Sequence, residues 1–281
     1  MSKNKIINIE GFPMYLSNTL TGLSAHLWGD GYHEPAFMWL LRNEAKGKLA
    51  LDIGANIGYS TLSLCKNMKK VIAIEPDHRS RKILRKNITL NKYEKKVKIC
   101  SFAMSNNNEE KDFYLAKHPN VSAFIPCKKH WTKKIKIKTK TMDSLKVLPN
   151  FIKMDVEGHE VEIINGGMRS LGATKKCKIL LEVHPQFYSD GKDFAKTLRE
   201  LIKIGFKIKY VISAGVTQPD LFKQKKYEPY KVIQAKEFER GIYKNISQDD
   251  AINFSTNKHK QYISSLNKYS EKIVRAIMLE K

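Results

Sequence analysis

Residues 51–60 read LDIGANIGYS, preceded by Leu49 and Ala50 and followed by Leu62 and Leu64. An apolar run ending in Asp52, a turn through Gly54-Ala55-Asn56-Ile57-Gly58 and a second apolar pattern predict strand, tight loop and helix. The two glycines let the backbone turn sharply and approach a ligand with no side chain in the way, and the helix behind them points unsatisfied N–H groups at that ligand. A dinucleotide fingerprint would read G-x-G-x-x-G, and a phosphate loop would end in Gly-Lys-Ser/Thr. Neither is present, which argues against a nicotinamide-dependent dehydrogenase. An acid two positions before the first glycine suits a ligand offering hydroxyls or an ammonium, and S-adenosylmethionine (SAM) offers both.

Working outward, Phe37, Leu40 and Leu41 predict a helix over residues 34–43 that starts near Pro35. It leads into the glycine loop as a wall over the ligand, with Glu34 placed to face it. Downstream, Val71-Ile72-Ala73-Ile74 predicts a second strand ending at Glu75-Pro76-Asp77. A helix over 79–91 follows, with Ile83, Leu84 and Ile88 on its apolar stripe, then a third strand over 97–102. This alternation predicts a parallel sheet with right-handed crossovers, whose ligand lies across the carboxyl ends of the strands. Asp52 and Glu75 then stand side by side, and Glu75 is placed to take two ribose hydroxyls.

Residues 112–142 change period. DFYLA, VSAFI and KIKIKTKTM alternate every second residue, so a β-hairpin insertion is expected, with Ile135, Ile137 and Thr139 inward and Lys136, Lys138 and Lys140 in water. The earlier rhythm resumes with a strand over 151–154 and a helix carrying Val161, Ile163, Ile164 and Met168. A strand over 178–181, an amphipathic helix over 193–204 and two last strands over 206–212 and 230–235 follow, with a loop between those two. Residues 258–279 carry Tyr262, Ile263, Leu266, Tyr269, Ile273, Val274 and Ile277 at helical spacing, which predicts a C-terminal docking helix. Near the start, Ile6, Ile7, Ile9 and Phe12 predict a short strand, and residues 23–28 another short element.

The 281 residues suffice for one large α/β domain with appendages. The net charge of +23, mostly lysine, opens RNA, anionic membrane or an acidic partner as alternatives to a solvated surface. No stretch interleaves the basic runs with regular stacking aromatics. Cys65, Cys100, Cys127 and Cys177 form no C-x-x-C pair, so reduced, non-ligating thiols are expected. The opening MSKNKIINIEGF has no apolar signal core and no run reaches the length of a membrane span. The expectation is a cytoplasmic protein with no membrane span.

The chemistry falls on two more strand ends. Residues two apart on an extended segment share a side, so Asp155 pairs with Glu157 and Glu182 with His184. If their strands are neighbours, all four converge near Asp52 and Glu75, a setting for a general base or a metal site; no metal is assigned from the sequence. Methyl transfer from a sulfonium asks mainly for alignment and removal of a hydroxyl proton, and carboxylates attract the positive donor.

On LDIGANIGYSTLSL, VIAIEPDHRSRKILRKNITLN, AMSN, TMDSL, FIKMDVEGHEVEIINGG and ILLEVHP, in that order, the chain resembles the FkbM-type SAM-dependent methyltransferases over roughly residues 32–240. The resemblance implies a class I methyltransferase (Rossmann-like) α/β fold: a mostly parallel seven-stranded sheet, one strand reversed near its end, with helices on both faces. Residues 1–31 would be an N-terminal extension, 32–240 the methyltransferase domain with its insertion at 112–142, and 241–281 a C-terminal helical extension. It implies SAM as methyl donor and O-methylation of a sugar, glycan or small metabolite. Asp52, Gly54, Asn56 and Gly58 would form the donor loop, Glu75 the ribose contact, and Ser101, Phe102 and Ala103 the surroundings of the adenine. Asp155 and Glu157 would face the transferred methyl, with Glu182 and His184 on the acceptor side. An RNA methyltransferase using the basic surface, and a non-catalytic binding or scaffold protein on the same fold, are the alternatives.

Overall fold

The apolar runs of the chain assemble into one central sheet, seen in a computed structural model. It describes residues 5–17, 34–117, 119, 122–125, 131–188, 193–234, 239–256, 261–263, 268–270 and 272–281. The predicted short element at 23–28 lies outside these residues, as does Cys127; Cys65, Cys100 and Cys177 are buried and unbridged.

The first strands, β1 (Lys5–Ile9) and β2 (Phe12–Leu16), form an antiparallel hairpin. It is tied to the main body by Asn87, whose Oδ1 accepts from Tyr15 N at 2.7 Å while its Nδ2 donates to Ile57 O at 2.8 Å. Helix α1 (Pro35–Glu44) starts at Pro35, as the sequence predicts, and leads into β3 (Gly47–Ile53). Then come α2 (Tyr59–Asn67), β4 (Met68–Ile74), α3 (His78–Leu90) and β5 (Val97–Cys100). Asp77 caps α3 by accepting from Arg79 N at 2.9 Å, which holds the turn after β4 in place.

A short β6 (Ala103–Met104) precedes the expected hairpin, β7 (Glu110–Ala116) against β8 (Trp131–Lys140). Ile137 and Thr139 are buried and Lys136, Lys138 and Lys140 exposed, as the alternation requires. Among its described residues, 122–125, VSAFI makes an isolated bridge, Ala123 to Tyr114. After β9 (Phe151–Met154) the predicted single helix is two, α4 (Glu160–Asn165) and α5 (Met168–Ala173). The break falls at Gly166-Gly167, where the chain runs against its neighbours: a Cβ on Gly166 would sit 2.2 Å from Ser105 O, and one on Gly167 2.9 Å from Met142 Sδ.

Strand β10 (Lys178–Glu182), α6 (Phe194–Lys203) and β11 (Lys207–Ser213) follow the prediction. The connection beyond β11, expected to be loop, holds a short α7 (Asp220–Gln224) before β12 (Lys231–Gln234). The sequence reading did not anticipate β13 (Glu239–Tyr243) or α8 (Gln248–Thr256). A two-stranded ribbon, β14 (Gln261–Ile263) with β15 (Lys268–Ser270), precedes the last strand, β16 (Val274–Glu280).

Two expectations are corrected here. The C-terminal helix over 258–279 is absent among the described residues: its apolar end is β16, hydrogen-bonded antiparallel between β10 and β11. A strand covered on both faces reads as a continuous apolar run, and VRAIMLE carries no period that separates it from a helix. The seven-stranded sheet is a nine-stranded mixed one, in the order β12-β13-β11-β16-β10-β9-β3-β4-β5. Strands β10, β9, β3, β4 and β5 run parallel, β16 and β13 run the other way, and β13 and β12 extend the edge beyond β11. Side chains leave the sheet on alternate faces, Ala50 into one apolar cluster and Leu51 and Ile53 into the other. The carboxyl ends of β4, β3, β9 and β10 therefore open along one edge.

Candidate active site

The loop after β3 turns through three positive φ values, Gly54 at 76°, Asn56 at 49° and Gly58 at 100°. Gly54 is required by close approach: a Cβ there would lie 2.0 Å from the carbonyl oxygen of Asp155. Its N–H and that of Ala55 both donate to Ile74 O at 3.1 Å, and Asn56 N donates to Glu75 Oε2 at 2.8 Å. Glu75 Oε1 accepts from Asp77 N at 2.8 Å. Burial pushes the Glu75 carboxyl up to about 7, against the pull of those two N–H groups.

Asp52 is fully buried beneath this loop and accepts from Ser60 Oγ at 2.8 Å and from Thr61 Oγ1. Lys153 of β9 stands 3.5 Å from it and donates through Nζ to Gly54 O at 2.7 Å. Asp52 thus fastens the start of α2 to the strand, and Lys153 fastens the loop to β9.

A cleft of about 160 Å³ opens over these groups. Gly54, Asn56, Glu75, Asp155, Glu157, Glu182 and Glu34 line it, Gly54 packed directly against Asp155 O, together with the apolar Ala103, Met104, Phe113 and Phe124. Of the predicted donor-side residues, Ala103 lines the cleft. Ser101 is exposed and Phe102 is half-buried with the Lys140 ammonium 5.0 Å from its ring. Asp52 and Gly58 do not line the cleft, Gly58 lying against Leu84. Glu34 faces the cleft as expected, at φ 54° before α1.

Behind Glu34 and Glu182 lies a buried charge network. Arg275 of β16 reaches Glu182 at 2.8 Å and Glu34 at 3.3 Å, Arg240 of β13 donates to Glu34 at 2.9 Å, and Lys272 donates to Glu182 at 3.3 Å. Burial alone would raise both carboxyls. The arginines overcome it for Glu34, and Arg275, His184 and Lys272 hold Glu182 well below the usual carboxylate range. His184 sits behind Glu157 rather than on the cleft. Its Nδ1 is 2.8 Å from Glu160 Oε1 and its Nε2 3.2 Å from Glu182 Oε1, and Tyr188 OH donates to Glu160 Oε2 at 3.2 Å. Burial pulls the imidazole down, but the two carboxylates raise it to about 10, so it is an imidazolium at neutral pH.

Asp155, Glu157 and His184 also bring ligand atoms within 4.8 Å of one another. The cleft as a whole fits SAM: carboxylates for hydroxyls and a cation, an apolar flank for a flat ring, and a glycine turn for close approach.

Lys153, Glu160, Arg240, Lys272 and Arg275 escaped the sequence reading. Two of them left a signal. Lys153 and Arg275 are single cations inside apolar strands, FIKM and VRAIMLE, and a lone charge in a buried strand calls for a buried partner.

Fold and cleft together define a methyltransferase-like protein of the Rossmann-like α/β type. The chain matches the methyltransferase FkbM domain over residues 52–208, more than half its length, and it belongs to that family. No curated protein matches it. Among solved structures, the methyltransferase FkbM from Methylobacillus flagellatus KT is similar at 19% identity and TM-score 0.42, over 58% of this chain and 39% of that one. Trm5b from Pyrococcus abyssi is similar at 14% identity and TM-score 0.41, over 74% and 49%. TYW2 from P. horikoshii, in complex with MeSAdo, is similar at 16% identity and TM-score 0.41, over 99% and 70%. The chain thus spans about two fifths of the M. flagellatus protein and half of Trm5b. Among the described residues no helix is long and apolar enough to cross a membrane.

Proposed function

We propose that this chain transfers a methyl group from SAM to a hydroxyl oxygen of a neutral sugar, glycan or small metabolite. The observation that carries the reading is the cleft itself, lined by the Gly54 turn, by Glu75 and by the four carboxylates Glu34, Asp155, Glu157 and Glu182. SAM would supply an electrophilic methyl on a positive sulfur. Glu75 would accept from the ribose hydroxyls, because each of its oxygens spends one lone pair on a backbone N–H and keeps another. Asn56 and the flank at Pro76 and Ala103 would seat the nucleoside. Glu34, Asp155, Glu157 and Glu182 would present hydrogen-bond acceptors to the hydroxyls of such an acceptor.

The test has two arms. Calorimetry should show S-adenosylhomocysteine binding to the wild-type chain, weakened at least tenfold in Glu75→Gln; no binding to the wild type removes the donor assignment. Labelled methyl transfer into cell-extract fractions should place label in glycan or metabolite. Label in RNA or protein overturns the acceptor class.

A further inference from the structure

Six carboxylates face the cleft or stand directly behind Glu157: Glu34, Glu75, Asp155, Glu157, Glu160 and Glu182. Glu34 has Arg240 and Arg275, Glu182 has Arg275, Lys272 and His184, and Glu160 has His184. Glu157 differs. Its nearest cation is the His184 Nε2 at 3.7 Å, beyond hydrogen-bond reach, and that N–H is closer to Glu182. Its side chain is 30% exposed, whereas that of Glu182 is 7% and that of Glu160 is 0%.

The backbone is arranged to hold it there. Glu157 has φ 52°, and Gly158 follows at φ 91°. The space a Gly158 Cβ would need is taken by Phe187, whose Cβ is 2.4 Å and whose ring is 2.7 Å away. A non-glycine residue in the left-handed region costs on the order of 1 kcal/mol or more and persists where its surroundings over-determine it. Here the locked turn lifts a carboxylate off the buried network and into the cleft.

We propose that Glu157 is the base that takes the acceptor's hydroxyl proton, with His184 a fixed cation behind it and not itself a base. The assignment rests on reading the cleft as a methyl-transfer site. As the acceptor oxygen bonds to the methyl carbon and the carbon–sulfur bond breaks with its electron pair left on sulfur, the hydroxyl proton passes to the Glu157 carboxylate. His184 donates from both nitrogens and has no lone pair for that proton.

The charged groups facing Glu157 come from every element around it. They are Asp155 and Glu160 on its own loop and helix, Glu182 and His184 at the end of β10, and Arg275 of β16. Burial first, then Asp155, Glu182 and Glu160, raise its carboxyl to about 7 against the pull of His184. A base of that strength works at neutral pH.

Carbon-13 NMR of the full chain, labelled at glutamate carboxyls, reads the state of Glu157 without any acceptor. Two resonances should titrate near pH 7, one lost in Glu157→Gln and the other in Glu75→Gln. Labelled methyl incorporation into the responsive extract fraction should fall about 10²- to 10⁴-fold in Glu157→Gln, with S-adenosylhomocysteine affinity within twofold of wild type. Turnover in the wild type should decline below pH 7, and Glu157→Asp should retain that decline. If S-adenosylhomocysteine binds but the Glu157 resonance titrates below pH 5, or Glu157→Gln keeps its turnover, the assignment of the base falls while the donor site stands. Failure of the wild type to bind S-adenosylhomocysteine removes the donor site itself.

Discussion

Replacing Arg275 by methionine should damage the site and the fold together. Arg275 is the residue of β16 that bridges Glu182, at 2.8 Å, and Glu34, at 3.3 Å. Removing one partner of a buried ion pair costs about 3–5 kcal/mol. Each carboxylate keeps other cations: Arg240 at 2.9 Å from Glu34, and His184 and Lys272 at 3.2 and 3.3 Å from Glu182. The lower end, about 3 kcal/mol, is therefore expected, a large part of the roughly 5–15 kcal/mol that holds a domain folded. The pH dependence has a definite sign. The folded-state pKa of Glu182 is depressed, so its contribution is present above pH 4.5 and is lost as pH falls through the folded value. Without Arg275 that folded value rises, so the deficit against wild type is largest at pH 7. It narrows on acidification, by up to about 1.4 kcal/mol per pH unit once Glu182 protonates in the variant. Urea unfolding at pH 7 and pH 5 measures both quantities, with Arg275→Lys as the charge-retaining control that should recover part of the loss. An Arg275→Met chain within 0.5 kcal/mol of wild type at both pH values (roughly the effect of an ordinary surface substitution) would refute the network as described.

Gly54→Ala should weaken S-adenosylhomocysteine binding at least tenfold and lower the melting temperature. The new methyl must occupy φ 76° and a point 2.0 Å from Asp155 O, and calorimetry within twofold of wild type would count against the loop. Lys153→Met should cost about 3–5 kcal/mol by leaving Asp52 buried without its cation. The double variant with Asp52→Asn should recover part of that in urea melts, and strict additivity of the two losses would show that the residues are not coupled.

The sequence by itself determined the half of the protein whose structure is written locally. A glycine turn between an apolar strand and a helix, an acid at each strand end and a rhythm of short strands and amphipathic helices are chemical facts about neighbouring residues. They place Gly54, Asn56, Glu75, Asp155, Glu157 and Glu182 on one sheet edge, where the structure has them. Tertiary structure decided what depends on partners far along the chain. VRAIMLE reads equally as helix or buried strand, and only the open hydrogen-bonding edges of β10 and β11 make it β16. That pairing carries Arg275 some ninety residues back to Glu182 and on to Glu34, where the pairing of β13 with β11 also brings Arg240. The roles of the carboxylates followed from the same packing. Burial and ion pairs hold Glu182 ionised, keep His184 a cation and leave Glu157 able to take a proton. A carboxylate's basicity depends on the charges the fold gathers around it, and those charges are separated in the chain.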